Sequence, residues 1–193
     1  MSKTDQRTAA AWARGDNPRR GGVAVMGLAI AAAAGVTAAL YLWASAQTAQ
    51  PQEGVFGRHG LEALTLKSWM ATAVLMLALL QVVGALWMYG RLPGGRTAPR
   101  SIGVLHRING IALVALAGLI AWQCVRVYGV QTYAPRVMVH AIAGCFFFGA
   151  FAAKLVIVRS KRLPGWNLPA AGGLLVTTVA VLWLSSSFWF FTT

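Results

Sequence analysis

The sequence predicts an all-α fold, an integral membrane bundle of five transmembrane helices. Its 193 residues are 58% hydrophobic and only 11% charged, which is too apolar a composition for an ordinary soluble domain. A membrane-spanning helix needs about 20 apolar residues. We expect one membrane domain over residues 22–193, with spans at about 22–45, 68–90, 103–128, 136–158 and 168–191.

The placement of the basic residues predicts how the bundle is oriented. The chain has 17 Lys and Arg residues, and four of them would lie on one side of the membrane: Arg58, Lys67, Arg126 and Arg136. The others would lie on the opposite side, which the positive-inside rule makes cytoplasmic. We therefore predict a cytoplasmic N-terminus, an external C-terminus and residence in the bacterial cytoplasmic membrane. Attraction to lipid headgroups accounts for the net charge of +13 without a nucleic-acid partner.

The tail and first span follow from composition. Residues 1–21 are polar and basic, which predicts a disordered cytoplasmic tail. In the first span, Gly27, Ala31 and Gly35 recur every four residues. Such a stripe of small residues favours close approach of a neighbouring helix.

A polar loop over residues 46–67 should precede the second span. It contains His59, which is either simply solvated or a ligand. In the second span, Gln81 should face the bundle and form a hydrogen bond to a neighbour. Met88 lies near its inner end and is a candidate haem ligand.

The third and fourth spans each carry a histidine near the start, His106 and His140, with Gly110 and Gly144 four residues later. An ionisable ring in a membrane span is by default a candidate functional group. Each glycine would leave room for a porphyrin or, equally, for another helix. Because consecutive spans are antiparallel, we expect the two rings roughly 20–25 Å apart along the membrane normal. One iron could not bind both.

Two separate sites are therefore considered. At the inner face, His106 could hold haem iron together with Met88, or contact a quinone head group. At the outer face, His140 could hold haem b or a quinone head group, with His59 in the loop above. The alternatives are an interfacial His106 and a His140 satisfied by a neighbour such as Gln123.

The fifth span carries three serines, Ser185–Ser187, followed by a cluster of aromatic residues at the outer interface. The chain has only four acidic residues, all in the tail or the loop after the first span. No carboxylate pair is available in the membrane for acid–base catalysis, and no catalytic residue is predicted.

Three elements carry a family resemblance: Leu105-His106-Arg107, His140 with Gly144 through Lys154, and Leu163-Pro164-Gly165-Trp166. Over roughly residues 60–191 the chain resembles a family of small actinobacterial membrane proteins of unknown function. The first two elements are also loosely similar to b-type cytochrome and ferric-reductase-like membrane domains. That similarity implies haem between helices and electron transfer across the bilayer.

The leading hypothesis is a haem- or quinone-linked electron-transfer subunit of a membrane redox complex. Its partners would be the lipid bilayer and a membrane or redox protein. The alternative is a cofactor-free structural or assembly subunit that packs against other membrane proteins.

Overall fold

The structure, a computed structural model, describes residues 18–92 and 98–193. Its helices are α1 (Pro18–Ser45), α2 (Gly60–Met88), α3 (Arg100–Tyr128), α4 (Pro135–Arg159) and α5 (Asn167–Trp183), which continues through a π-helical turn (Leu184–Phe188) into α6 (Trp189–Thr192). Within these residues, five helices are long and apolar enough to cross a membrane, counting Asn167–Thr192 as one. The predicted fold class is confirmed, whereas the orientation and the cell membrane stay predictions.

The first predicted boundary falls partly outside the described residues. Residues 1–17 of the predicted disordered tail are not described, and residues 18–21 already belong to α1. The starts of α3, α4 and α5 lie within three residues of the predicted spans.

α2 begins at Gly60, eight residues before the predicted second span, so the predicted polar loop over residues 46–67 ends in helix. A tight turn precedes it, in which Val55 and Arg58 pair while Phe56 and Gly57 have φ angles of 52° and 74°. Ala63, in the first turn of α2, is 2% exposed and packs against Val55. This packing stabilises the first turns of α2. They precede the apolar residues of the second span, so hydropathy does not predict them.

The helices pack in the order α3, α2, α5, α4, α1. At one end of the bundle, Trp43 of α1 stacks on Trp122 of α3 with ring centroids 5.7 Å apart. We call this the upper end; α1 and α3 end there and α2 and α4 begin there, and it is the predicted outer face. The opposite end is the lower end. Between them lies a core cluster of buried residues: Val74, Ala78, Leu113, Phe147, Ala150, Leu175 and Val179.

The closest approach of α1 to α4 occurs at Gly149. A Cβ atom there would overlap the Thr37 hydroxyl and the Ala33 carbonyl oxygen. By contrast, a Cβ at Gly27 or Gly35 would meet nothing within 4 Å. The predicted small-residue stripe is therefore not a packing face within this chain, since the glycine that α1 requires lies on its partner helix.

Candidate functional site

His140 is tied to the end of α5. Its Nδ1 lies 2.9 Å from the Ser185 hydroxyl oxygen. That hydroxyl lies 2.7 Å from the Val181 carbonyl oxygen, to which it donates its proton. Because the Ser185 hydroxyl also lies 3.1 Å from the Leu182 carbonyl oxygen, we assign its one proton to the backbone carbonyls and the proton of the His140 contact to Nδ1. In the neutral ring, Nε2 then keeps its lone pair. The neighbour that satisfies this ring is Ser185, and not Gln123 as the sequence suggested.

A second contact joins the same two helices. Arg136, one turn before His140, donates to the Ser185 carbonyl oxygen. Its guanidinium carbon lies 3.9 Å from the centroid of the Trp189 ring. The π-helical turn over Leu184–Phe188 changes the helical hydrogen-bond pattern at this point, as such turns frequently do at functional sites. We call Arg136, His140, Ser185 and Trp189 the upper polar cluster.

The upper polar cluster lies at the predicted outer end of the bundle. It combines a cation held by Ser185 and Trp189, a partly buried imidazole and an aromatic face. A guanidinium has five N–H donors. The Nη1 group of Arg136 donates to the Ser185 carbonyl oxygen, and its other N–H groups are not used in this contact. The arrangement can therefore present both a hydrogen-bond donor and an acceptor to one polar ligand.

His106 lies at the lower end, against α2. Gln81 donates to the His106 carbonyl oxygen at 2.6 Å, and Asn109 donates to the Leu77 carbonyl oxygen at 2.9 Å. The prediction that Gln81 faces the bundle and bonds to a neighbour is confirmed. Nδ1 of His106 is buried beside Gly84, and no partner for it occurs among the described residues. A ligand of His106 would therefore bind through Nε2.

The space beside each glycine shows how well a porphyrin would fit. A Cβ at Gly110 would lie 3.1 Å from Gln81 Nε2, and one at Gly144 would lie 3.9 Å from Leu182 Cδ2. Gln81 of α2 therefore closes the space beside Gly110, and a porphyrin edge there would have to displace it. Beside Gly144 there is room for a methyl group, with Leu182 at ordinary contact distance.

The two imidazoles are far apart along the bundle. His106 lies beside Gly84 of α2. His140 is hydrogen-bonded to Ser185, and Ser185 lies two residues beyond Trp183. The Trp183 ring donates to Thr72 of α2, which marks the level of His140 on that helix. Gly84 and Thr72 are twelve residues apart, about 18 Å along a helix. One iron cannot bind both rings, as the sequence predicted.

The other two predicted ligands lie on accessible parts of the chain. His59 immediately precedes α2, is exposed, and has its ring against Gly54. Met88 ends α2, one turn beyond Gly84, and is 41% exposed. No group of three or more His, Cys, Asp or Glu suited to a metal occurs in the described ranges. The ligand roles of His106, His140, Met88 and His59 stay predictions.

Sequence reasoning did not identify Ser185, Arg136 or Trp189 as partners of His140. The available signal was the unusual run of three serines near the end of a membrane span, at the predicted depth of His140. Nothing in a single sequence indicates which helix those serines face.

Comparison with known proteins gives one match. A model of a family of unknown function, DUF6529, matches residues 26–193. None of the curated proteins and none of the solved structures matches the chain.

Proposed function

Since the chain belongs to DUF6529, a family of unknown function, we propose a function from its own residues: it is a membrane redox subunit that binds a quinone head group at the upper polar cluster. The electrons pass to or from a redox protein partner. The chain itself supplies the binding site and a proton acceptor.

The observation that carries the proposal is the fixed orientation of the His140 ring. Ser185 accepts the proton on Nδ1, so Nε2 is an acceptor for a hydroquinone hydroxyl. Arg136 is held by Ser185 and Trp189, and its remaining N–H groups are donors for a quinone carbonyl oxygen. The two groups recognise the reduced and the oxidised ligand, respectively.

The proton and electron balance assigns a role to each party. Oxidation of a hydroquinone to a quinone releases two protons and two electrons. His140 Nε2 accepts one proton and the second goes to water at the upper end, while the two electrons go to one-electron acceptors in the partner protein.

Binding of 2,3-dimethyl-1,4-naphthohydroquinone, kept reduced, to the purified full chain in detergent tests the proposal. We expect the dissociation constant to rise at least about tenfold in His140→Ala, because Nε2 is the acceptor for the hydroquinone hydroxyl. Ser186→Ala is the matched control, because the Ser186 hydroxyl donates only to the Leu182 carbonyl oxygen of its own helix, and we expect it to bind normally. Equal binding by all three proteins would refute the proposal.

Haem at His140 is a second candidate, favoured by the same observation. Histidines that bind a metal through one nitrogen usually donate from the other, as His140 donates to Ser185. Haem would supply one-electron chemistry, and Leu182 would be its neighbour beside Gly144. A Soret band that His140→Ala removes and Ser186→Ala preserves would favour haem over a quinone.

A cofactor-free assembly subunit is the competing class of function. It is favoured by Gly27, Ala31 and Gly35, which lie on an exposed face of α1. A colourless protein that binds no naphthoquinone would support this reading and refute the redox one.

A further inference from the structure

The two ends of the bundle differ in how their charges are paired. At the upper end, Glu53 lies 2.6 Å from Arg126 and Glu62 lies 3.5 Å from Arg58. These are the only carboxylate side chains within residues 18–92 and 98–193. The cations of the lower end therefore have no carboxylate partner in the described part of the chain: Arg91, Arg100, Arg107, Arg159, Lys161 and Arg162.

Three of these cations lie close together at the turn that joins α4 to α5. Arg159 is the last residue of α4, and Lys161 and Arg162 follow it. All three are exposed. Trp166, four residues further, is 67% exposed. We call residues 159–166 the basic turn.

The basic turn is held in one place by its own contacts and by α1. The Arg162 backbone N–H donates to the Ser160 hydroxyl at 3.1 Å, and the Asn167 side chain donates to the Pro164 carbonyl oxygen at 3.0 Å. A Cβ at Gly21 would lie 3.0 Å from Arg162 Cδ. The Arg162 side chain thus lies against the first turn of α1 beside Gly21.

We propose that the basic turn binds the phosphate of an anionic phospholipid. Three cations without a carboxylate partner among residues 18–92 and 98–193 match a phosphate. Arginine binds phosphate oxygens through two parallel N–H groups. An exposed tryptophan at the end of a membrane span is typical of the headgroup layer. A preformed turn also loses little conformational entropy on binding, which favours a specific site over general surface attraction.

The position of the turn favours a lipid over a soluble acidic partner. It joins two membrane spans, so Arg159 and Trp166 lie within reach of the headgroup layer, where each basic residue gains from the negative surface potential. The inference is independent of the quinone proposal, because the two sites lie at opposite ends of the bundle.

Native mass spectrometry of the full chain tests this inference. We expect phosphatidylglycerol to be retained more tightly than phosphatidylcholine with the same acyl chains. Arg162→Ala should weaken phosphatidylglycerol binding about fivefold, the effect of one basic residue at a charged membrane surface. Arg58→Ala is the matched control, because this exposed arginine lies at the upper end and is paired with Glu62.

Lys161→Ala provides a variant with no packing role, since the Lys161 side chain is exposed and makes no hydrogen bond to the described residues. We expect it to weaken binding similarly while leaving the thermal unfolding temperature unchanged. Equal retention of the two lipids, or unchanged binding in both lower-end variants, would overturn the inference. Equally tight binding of glycerol 3-phosphate would also overturn it, because the site would then bind free phosphate.

Discussion

Ser185→Ala tests the orientation of the His140 ring, on which the proposed site depends. The substitution removes the acceptor 2.9 Å from His140 Nδ1. A partly buried donor left without an acceptor costs about 1 kcal/mol, the lower end of the range for such groups. That value is close to the average of about 0.6 kcal/mol for interhelical hydrogen bonds in a membrane protein. A free energy of about 1 kcal/mol changes the population ratio of the two neutral tautomers roughly fivefold. We therefore expect the variant to lose its preference for the Nδ1–H tautomer.

Nitrogen NMR of protein labelled at histidine measures this directly, because the chain has only 3 histidines. The His140 signals can be assigned from their loss in His140→Gln. Ser186→Ala is the matched control, since the Ser186 hydroxyl donates only to the Leu182 carbonyl oxygen of its own helix. A wild-type protein with the proton on Nε2 would refute the reasoning. So would a Ser185→Ala spectrum identical to that of the wild type.

Two further predictions concern packing and orientation. Gly149→Ala should destabilise the fold by about 1–3 kcal/mol, the usual cost of overpacking, because the methyl group would overlap Thr37; Gly27→Ala should be neutral, and equal unfolding temperatures for the two variants would contradict this. A reporter enzyme active only outside the cytoplasm should be active when fused after Thr193, as the positive-inside rule requires, and inactivity there alongside activity in the loop before Arg100 would reverse the predicted orientation.

The five spans could be predicted because their length and apolarity are dictated by the bilayer itself. The start of α2 could not, because its first two turns lie above the apolar stretch and depend on Ala63 packing against Val55 and Val127. Those contacts join segments distant in sequence. Hydropathy reports only the part of a helix that lipid surrounds.

Only part of the candidate site could be predicted, because a sequence shows the residue types and the helix directions but not the contacts between helices. Intramembrane histidines are conspicuous in sequence, so His106 and His140 were identified, and alternation of helix direction placed them at opposite ends. Their partners were not identified, because α2 and α5 are apolar on nearly every face and no periodicity shows which side meets a neighbour. Gly110 and Gly144 illustrate the point: the sequence allowed either a ligand or a helix beside each glycine, and it did not indicate that Gln81 and Leu182 are the neighbouring side chains.

The pairing of α1 with α4 has a consequence for how the protein is made. Thr37 meets Gly149, a residue synthesised more than a hundred positions later, which at ribosomal rates of 5–20 residues per second is a delay of about 5–20 s. During that interval the first helix lies in lipid without its main neighbour, although α3 is made earlier and supplies Trp122 as a contact for Trp43. Insertion of α4 provides the main neighbour of α1, and α5, which packs between α2 and α4, completes the bundle.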